Sequence, residues 1–207
     1  SVFPGRLYFH TDGKLSFAPA EDTGDAFDEN IRDPGKPVPV IGHIGEGMPG
    51  DYMTEDQRFA WKRPDVLVYQ TPPLQEDLTV LGPIRVELHA ATTGSDADFV
   101  VKVIDVYPSD YPTPEWNGPS PPPANRVRMG GYQRLVRGEP FRGKFRKSLE
   151  KPEPFQPGIP EVIRFELGDV AHVFRAGHRL MVQIQSSWFP LTDRNPQTYT
   201  DIPRANP

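Results

Sequence analysis

The sequence predicts an all-β sandwich, and three observations carry that expectation. Proline and glycine, at 26 and 18 of 207 residues, make up about a fifth of the chain, and proline stands well above its usual share of roughly 5%. So dense a scatter of residues lacking an N–H or a Cβ leaves little room for long helices. Several segments alternate apolar and polar residues with period two. With 36% hydrophobic and 11% aromatic residues, the chain is also too apolar to stay disordered. Short strands joined by long, proline-rich loops satisfy all three.

Taken in order, Arg6 to His10, Lys14 to Phe17 and Val66 to Gln70 read as short strands. Leu78 to Thr92 is the clearest: past Gly82-Pro83, the side chains of Ile84, Val86, Leu88 and Ala90 share one face, and Arg85, Glu87 and His89 the other. After the Thr93-Gly94-Ser95-Asp96 turn, Asp98 to Tyr107 is apolar on both faces, with Phe99, Val101 and Val103 opposed to Val100, Ile104 and Val106. A strand of that kind lies at the centre of a packed structure. Tyr132 to Val136, Val162 to Leu167 and Arg179 to Ser187 complete the set, the last two alternating again, with Gln183 and Gln185 on the polar face. Between them, Ala18 to Lys62 has almost no periodicity, and loops of that length carry function or cover a surface. Its one helix-like piece, Thr54 to Ala60, is expected to be capped by Thr54. Asp110 to Asn125, with six prolines, reads as an extended course over the surface.

Composition excludes several functions. A net charge of −5, with 23 basic and 28 acidic side chains mixed along the chain, is unsuited to tracking a phosphate backbone, so no nucleic-acid partner is expected. No apolar run reaches the roughly 18 to 20 residues of a membrane span, and Ser1 to His10 lacks the regions of a signal peptide. The absence of cysteine removes disulfides, thiolate metal sites and a cysteine nucleophile together.

Candidate chemistry is sparse. No serine sits in the Gly-x-Ser-x-Gly turn of an α/β-hydrolase nucleophile, and Ser186-Ser187-Trp188 reads as a strand end with hydrogen-bonded hydroxyls. The five histidines show no metal-ligand spacing. His89 is placed on a solvated face, and His172 and His178 flank the Phe174-Arg175-Ala176-Gly177 turn, whose geometry they are expected to fix. His43 stands apart in Gly42-His43-Ile44-Gly45-Glu46-Gly47, a glycine-rich stretch open to close approach by backbone or ligand. The acidic run Glu21, Asp22, Asp25, Asp28, Glu29, Asp33 reads as a solvated loop, with calcium the alternative. Trp61 and Trp116 lie in loop regions, where a sugar-stacking platform is the alternative to packing.

The stretch Asp98-Phe99-Val100-Val101-Lys102-Val103-Ile104-Asp105-Val106-Tyr107-Pro108, followed by Phe174 to Pro190 and Asp193-Arg194-Asn195-Pro196, resembles the C-terminal domain shared by X-Pro dipeptidyl-peptidases, bacterial cocaine esterases and α-amino-acid ester hydrolases. Val68 to Leu74 and Gly138 to Arg146 look most like the α-amino-acid ester hydrolase and glutaryl-cephalosporin acylase branch. The resemblance implies one galactose-binding-like jelly roll over residues 1–207, belonging to a larger enzyme. Ser, Asp and His would sit on a preceding α/β-hydrolase domain, and the chain is expected to start past that histidine and stop before the family's last strand. No catalytic residue is therefore carried over, and no cofactor or metal is implied.

The expected partners are that catalytic domain and, through oligomerisation, further copies. The expected location is bacterial and periplasmic or secreted, otherwise cytoplasmic. Relatives of the cocaine-esterase kind send a loop after a Pro-Val-Pro segment toward the active site. Here Pro37-Val38-Pro39-Val40 leads into His43 and Ile44, which would wall the substrate pocket. The function implied is a non-catalytic domain of a serine hydrolase acting on α-amino-acid esters or β-lactam amides. The alternative is an independent carbohydrate-binding module, since fold alone does not fix function.

Overall fold

Alternating segments become strands where one face is covered, and the larger sheet of this chain is covered on both of its faces. A computed structural model describes residues 5–21, 24, 27–43, 52–122 and 126–205. The strands are β1 (Tyr8–His10), β2 (Lys14–Ser16), β3 (Val66–Gln70), β4 (Leu78–Ala90), β5 (Asp98–Val106), β6 (Gln133–Arg142), β7 (Glu161–Phe174) and β8 (Arg179–Gln185). Six of them form one sheet in the order β1-β2-β3-β8-β5-β6, and β4 pairs with β7 in a second. Every ladder is antiparallel except the short β2–β3 contact at Lys14 and Gln70. The chain is thus all-β, with 3-10 turns as its only helical pieces among the described residues.

The main core lies between the sheets. Val86 and Leu88 of β4 and Ile163, Leu167 and Phe174 of β7 pack on Leu15, Tyr69, Val101, Val103, Leu180 and Val182 of the larger sheet. Phe141 and Phe165 stack at 4.9 Å across the same interior. The outer face of β4–β7 is charged instead, with Arg85 opposite Glu166 and Glu87 opposite Arg164. Such exposed cross-strand pairs favour the register and add little stability.

Two strands run further than their alternation indicates, and bulges explain both. On β7, Leu167 and Gly168 together oppose Ile84, and Gly168 takes φ +78, a left-handed conformation suited to glycine at a bulge. The inward set therefore changes from Ile163, Phe165 and Leu167 to Val170 and Phe174. On β6, Val136 is the extra residue between the Ile104–Leu135 and Val103–Arg137 pairs. As the edge strand it also accommodates Pro140.

The far face of the six-stranded sheet is covered by irregular chain. Val100, Ile104, Leu135 and Met181 pack beneath Val40, Ile41 and Trp188, so part of the long Ala18 to Lys62 segment acts as a second layer. Gln183 and Gln185, expected in solvent, are buried under it. The piece read as helical is instead two 3-10 turns, Tyr52–Thr54 and Gln57–Phe59. The cap of the second is Asp56, whose carboxylate accepts the N–H of Arg58.

Leu167 is 0% exposed and Leu81, also in the small sheet, 65%. Leu167→Ala is expected to lower the unfolding free energy by about 2–5 kcal/mol, and Leu81→Ala to change it by less than about 0.5 kcal/mol, as read from urea denaturation. Equal losses would contradict the placement of the core.

Candidate functional site

The residues singled out for a pocket wall lie at the end of the covering segment. Val38 donates its N–H to Ser187 Oγ at 2.9 Å, Phe189 N–H to the Val38 carbonyl and Val40 N–H to the Phe189 carbonyl, each at 2.9 Å. Pro39 and Phe189 make a parallel bridge. With Val38, Val40 and Ile41 buried, the Pro37 to Ile41 strip is held flat against the chain that leaves β8. Beyond it the backbone turns outward at Gly42, where a Cβ would meet the Phe59 side chain at 2.9 Å. His43 follows with its side chain 64% exposed, its Nδ1 3.7 Å from Glu55 Oε1, and the same oxygen accepts Gly42 N–H at 3.2 Å. Ile44 lies outside the described residues.

Three buried polar groups escaped the sequence reading. Lys102, in the middle of β5, is 0% exposed. Its Nζ donates to Gln57 Oε1 at 3.1 Å and stands over the rings of Trp188, at 4.8 Å, and Phe59, at 5.9 Å. Burial pushes its amine down to about 7, with no counter-charge beside it among the described residues. Asp105, on the opposite face of β5, is buried and takes one imidazole on each oxygen, His172 Nε2 at 2.9 Å and His178 Nδ1 at 2.7 Å. His178 also packs on Tyr107 and Tyr111. Because Asp105 belongs to the large sheet and His172 to the small one, the trio clamps the two layers at one end. At the other end of β5, burial pushes the Asp96 and Asp98 carboxyls up and the Arg32 guanidinium down, while Asn195 Nδ2 donates to Asp98 Oδ1 at 2.9 Å.

The other candidates resolve individually. Ser187 spends its hydroxyl on Val38, as expected of a strand end. His89 is solvated beside Glu87. Ser16 Oγ lies 2.9 Å from His10 Nε2, yet both also reach the Ala18 carbonyl, and no carboxylate pairs with that imidazole among the described residues. Trp61 packs against the Val40 and Trp188 cluster. Trp116, 39% exposed, donates to the Pro119 carbonyl at 2.6 Å and faces Arg126. Asp28 accepts from Tyr69 Oη at 2.6 Å and Asp33 from Gly35 N–H. Asp22 and Asp25 lie outside the described residues. Among the described residues no three acidic or histidine side chains converge on a metal position. An open groove of about 210 Å³ lies where the β6 and β7 bulges meet, between Arg134, Arg137, Asp169 and His172.

The clamp yields a stability expectation. Asp105→Asn removes the charge to which both imidazoles donate and is expected to cost about 3 kcal/mol, whereas Glu166→Gln on the outer face leaves the urea midpoint unchanged within error. An unaffected midpoint in Asp105→Asn would show that the trio does not hold the layers.

This arrangement of sheets and cover recurs in known proteins. The chain is 42% identical to an α-amino acid ester hydrolase, with a TM-score of 0.84 over 97% of its length and 32% of that chain. An aminopeptidase from a marine sediment archaeon, Thaumarchaeota archaeon, matches with a TM-score of 0.83 at 42% identity, over the same shares of the two chains. The cocaine esterase of Rhodococcus sp. (strain MB1 Bresler) is 30% identical over 174 residues, which are 84% of this chain and 27% of the esterase. The chain therefore spans less than a third of each of these relatives. Residues 5–205 match the family described as the X-Pro dipeptidyl-peptidase C-terminal non-catalytic domain, and with that extent of agreement the chain belongs to that family.

Proposed function

We propose that the chain is the accessory domain of a serine hydrolase acting on α-amino-acid esters or β-lactam amides, docking on an α/β-hydrolase domain and completing one wall of its pocket. The observation that carries the reading is the 42% identity to an α-amino acid ester hydrolase over 97% of this chain and only 32% of that one. The reaction would be acyl transfer through a serine acyl-enzyme, with the nucleophile, imidazole and acid outside this chain. What this chain supplies is shape. The strip from Val38 to Ile41 is fixed to the sheet on one side and presents His43, largely exposed, on the other. A side chain held on a short turn whose backbone is pinned by Glu55 suits contact with a neighbouring domain, because little conformational entropy remains to be lost. The packing of Trp61 into the covering layer removes one half of the aromatic platform on which a carbohydrate module would depend.

Produced alone, the 207-residue chain is expected to hydrolyse no chromogenic α-amino-acid ester. Mixed with the separately produced catalytic part of its parent, it is expected to bind and to raise turnover. In that complex His43→Ala is expected to raise KM about fivefold, or roughly 1 kcal/mol, with a smaller change in kcat. Ester hydrolysis by the isolated chain would sink the accessory reading, and an unchanged KM would remove His43 from the wall.

A further inference from the structure

A lysine with no exposed surface and, among the described residues, no carboxylate partner is costly to keep, and Lys102 is embedded by every element around it. Its register partners are Gly138 on β6 and Gln183 on β8. A Cβ at Gly138 would stand 3.1 Å from the Trp188 ring and 3.2 Å from Lys102 Cγ, so the absence of a side chain there makes room for both. From above, the covering segment closes the site with Phe59 and with Gln57, itself fully buried. Gln57 continues the chain of hydrogen bonds: its Oε1 accepts from Lys102 Nζ at 3.1 Å, and its Nε2 donates to the Glu55 carbonyl at 2.9 Å. The Glu55 carboxylate in turn accepts Gly42 N–H and faces His43. Phe59, beside Lys102 Nζ on one side, is also the residue against which Gly42 packs.

Among the described residues, the charged groups of the surrounding elements named below are engaged elsewhere. Arg137 and Glu139 flank Gly138 but pair with each other at 2.6 Å, and Arg137 also donates to the Leu167 carbonyl of β7, on the opposite face of the sheet. Asp56 and Arg58, in the covering segment, pair together. Glu55 is directed at Gly42 and His43. Asp105, on β5 itself, is occupied by His172 and His178. Met181, Gln183 and Gln185 of β8 bring no charge to this face, and past Trp188 the nearest cation, Arg194, lies over Phe189.

We infer that Lys102, Gln57 and Glu55 form a latch that positions the Gly42–His43 turn, and that proton uptake at the buried amine loosens the cover over the sheet. Covered, the amine is neutral above about 7; opened to water, it regains its ordinary value near 10.4. Between those limits the open state holds one proton more. Opening therefore becomes about tenfold easier for each pH unit lost on the way down from about 10 to about 7, and levels off below that. Lys102 is a positioning residue in this scheme. Its consequence for hydrolysis rests on the reading that His43 faces the catalytic pocket, whereas the latch itself does not.

Hydrogen exchange of the 207-residue chain at pH 7 and pH 9, corrected for the intrinsic rate of each amide, tests the latch. Protection of amides in residues 40–43 and 52–60 is expected to rise about 50-fold from pH 7 to pH 9, with β1 and β2 unchanged. In Lys102→Met, whose side chain has similar length and no charge, the rise is expected to vanish. Should that variant fail to fold, Gln57→Glu supplies the missing counter-charge and is expected to flatten the same dependence. A flat wild-type profile, or a slope that survives in the variant that folds, would overturn the inference. A pH-dependent cover with no effect of His43→Ala on KM would keep the latch and discard the pocket wall.

Discussion

Everything in this molecule depends on burying both faces of one strand. β5 carries Phe99, Val101 and Val103 on one side and Val100 and Ile104 on the other, and at about 25 cal/mol per Å² of apolar surface neither side is cheaply left in water. The small β4–β7 sheet answers for the first. No third sheet is present among the described residues for the second, so irregular chain does the work. The long, aperiodic segment before β3 is thus a consequence of the sheet beneath it. Its apolar residues Val38, Val40 and Ile41 follow no helical or strand period because each docks separately onto a pleated surface.

Strands β4 and β5 were legible because alternation survives wherever the pleat is unbroken. The distal halves of β6 and β7 were not. One extra residue at Val136, and one at Leu167–Gly168, exchange the two faces of a strand, and a reader following odd positions loses the pattern there. The buried glutamines were misread for a related reason. Alternation reveals which side chains share a face and says nothing about whether that face is wet.

The buried charges were legible in principle. Lys102 and Asp105 stand inside a run that is apolar on both sides, which leaves a charged side chain no solvated face to occupy. His172 and His178, expected to fix the turn between them, instead share a hold on Asp105. Their convergence on a third residue some seventy positions earlier in the chain is a property of topology. The His43 turn lay within reach of sequence reasoning through its glycines, but the Glu55 and Phe59 contacts that hold it come from a part of the loop with no pattern of its own.

The bond between Val38 and Ser187 joins residues 149 positions apart, and this separation orders events during synthesis. Within this domain the covering strip is made before β3 and every strand after it, yet its seat is complete only after β8 and Trp188 have emerged. Until then Val100, Ile104 and Met181 face solvent on a sheet that is otherwise assembling, an interval in which intermolecular association competes with closure. The cover is thus the part of this domain synthesised early and finished late, and Val100 and Ile104 stay unguarded while the chain from β6 to β8 is made.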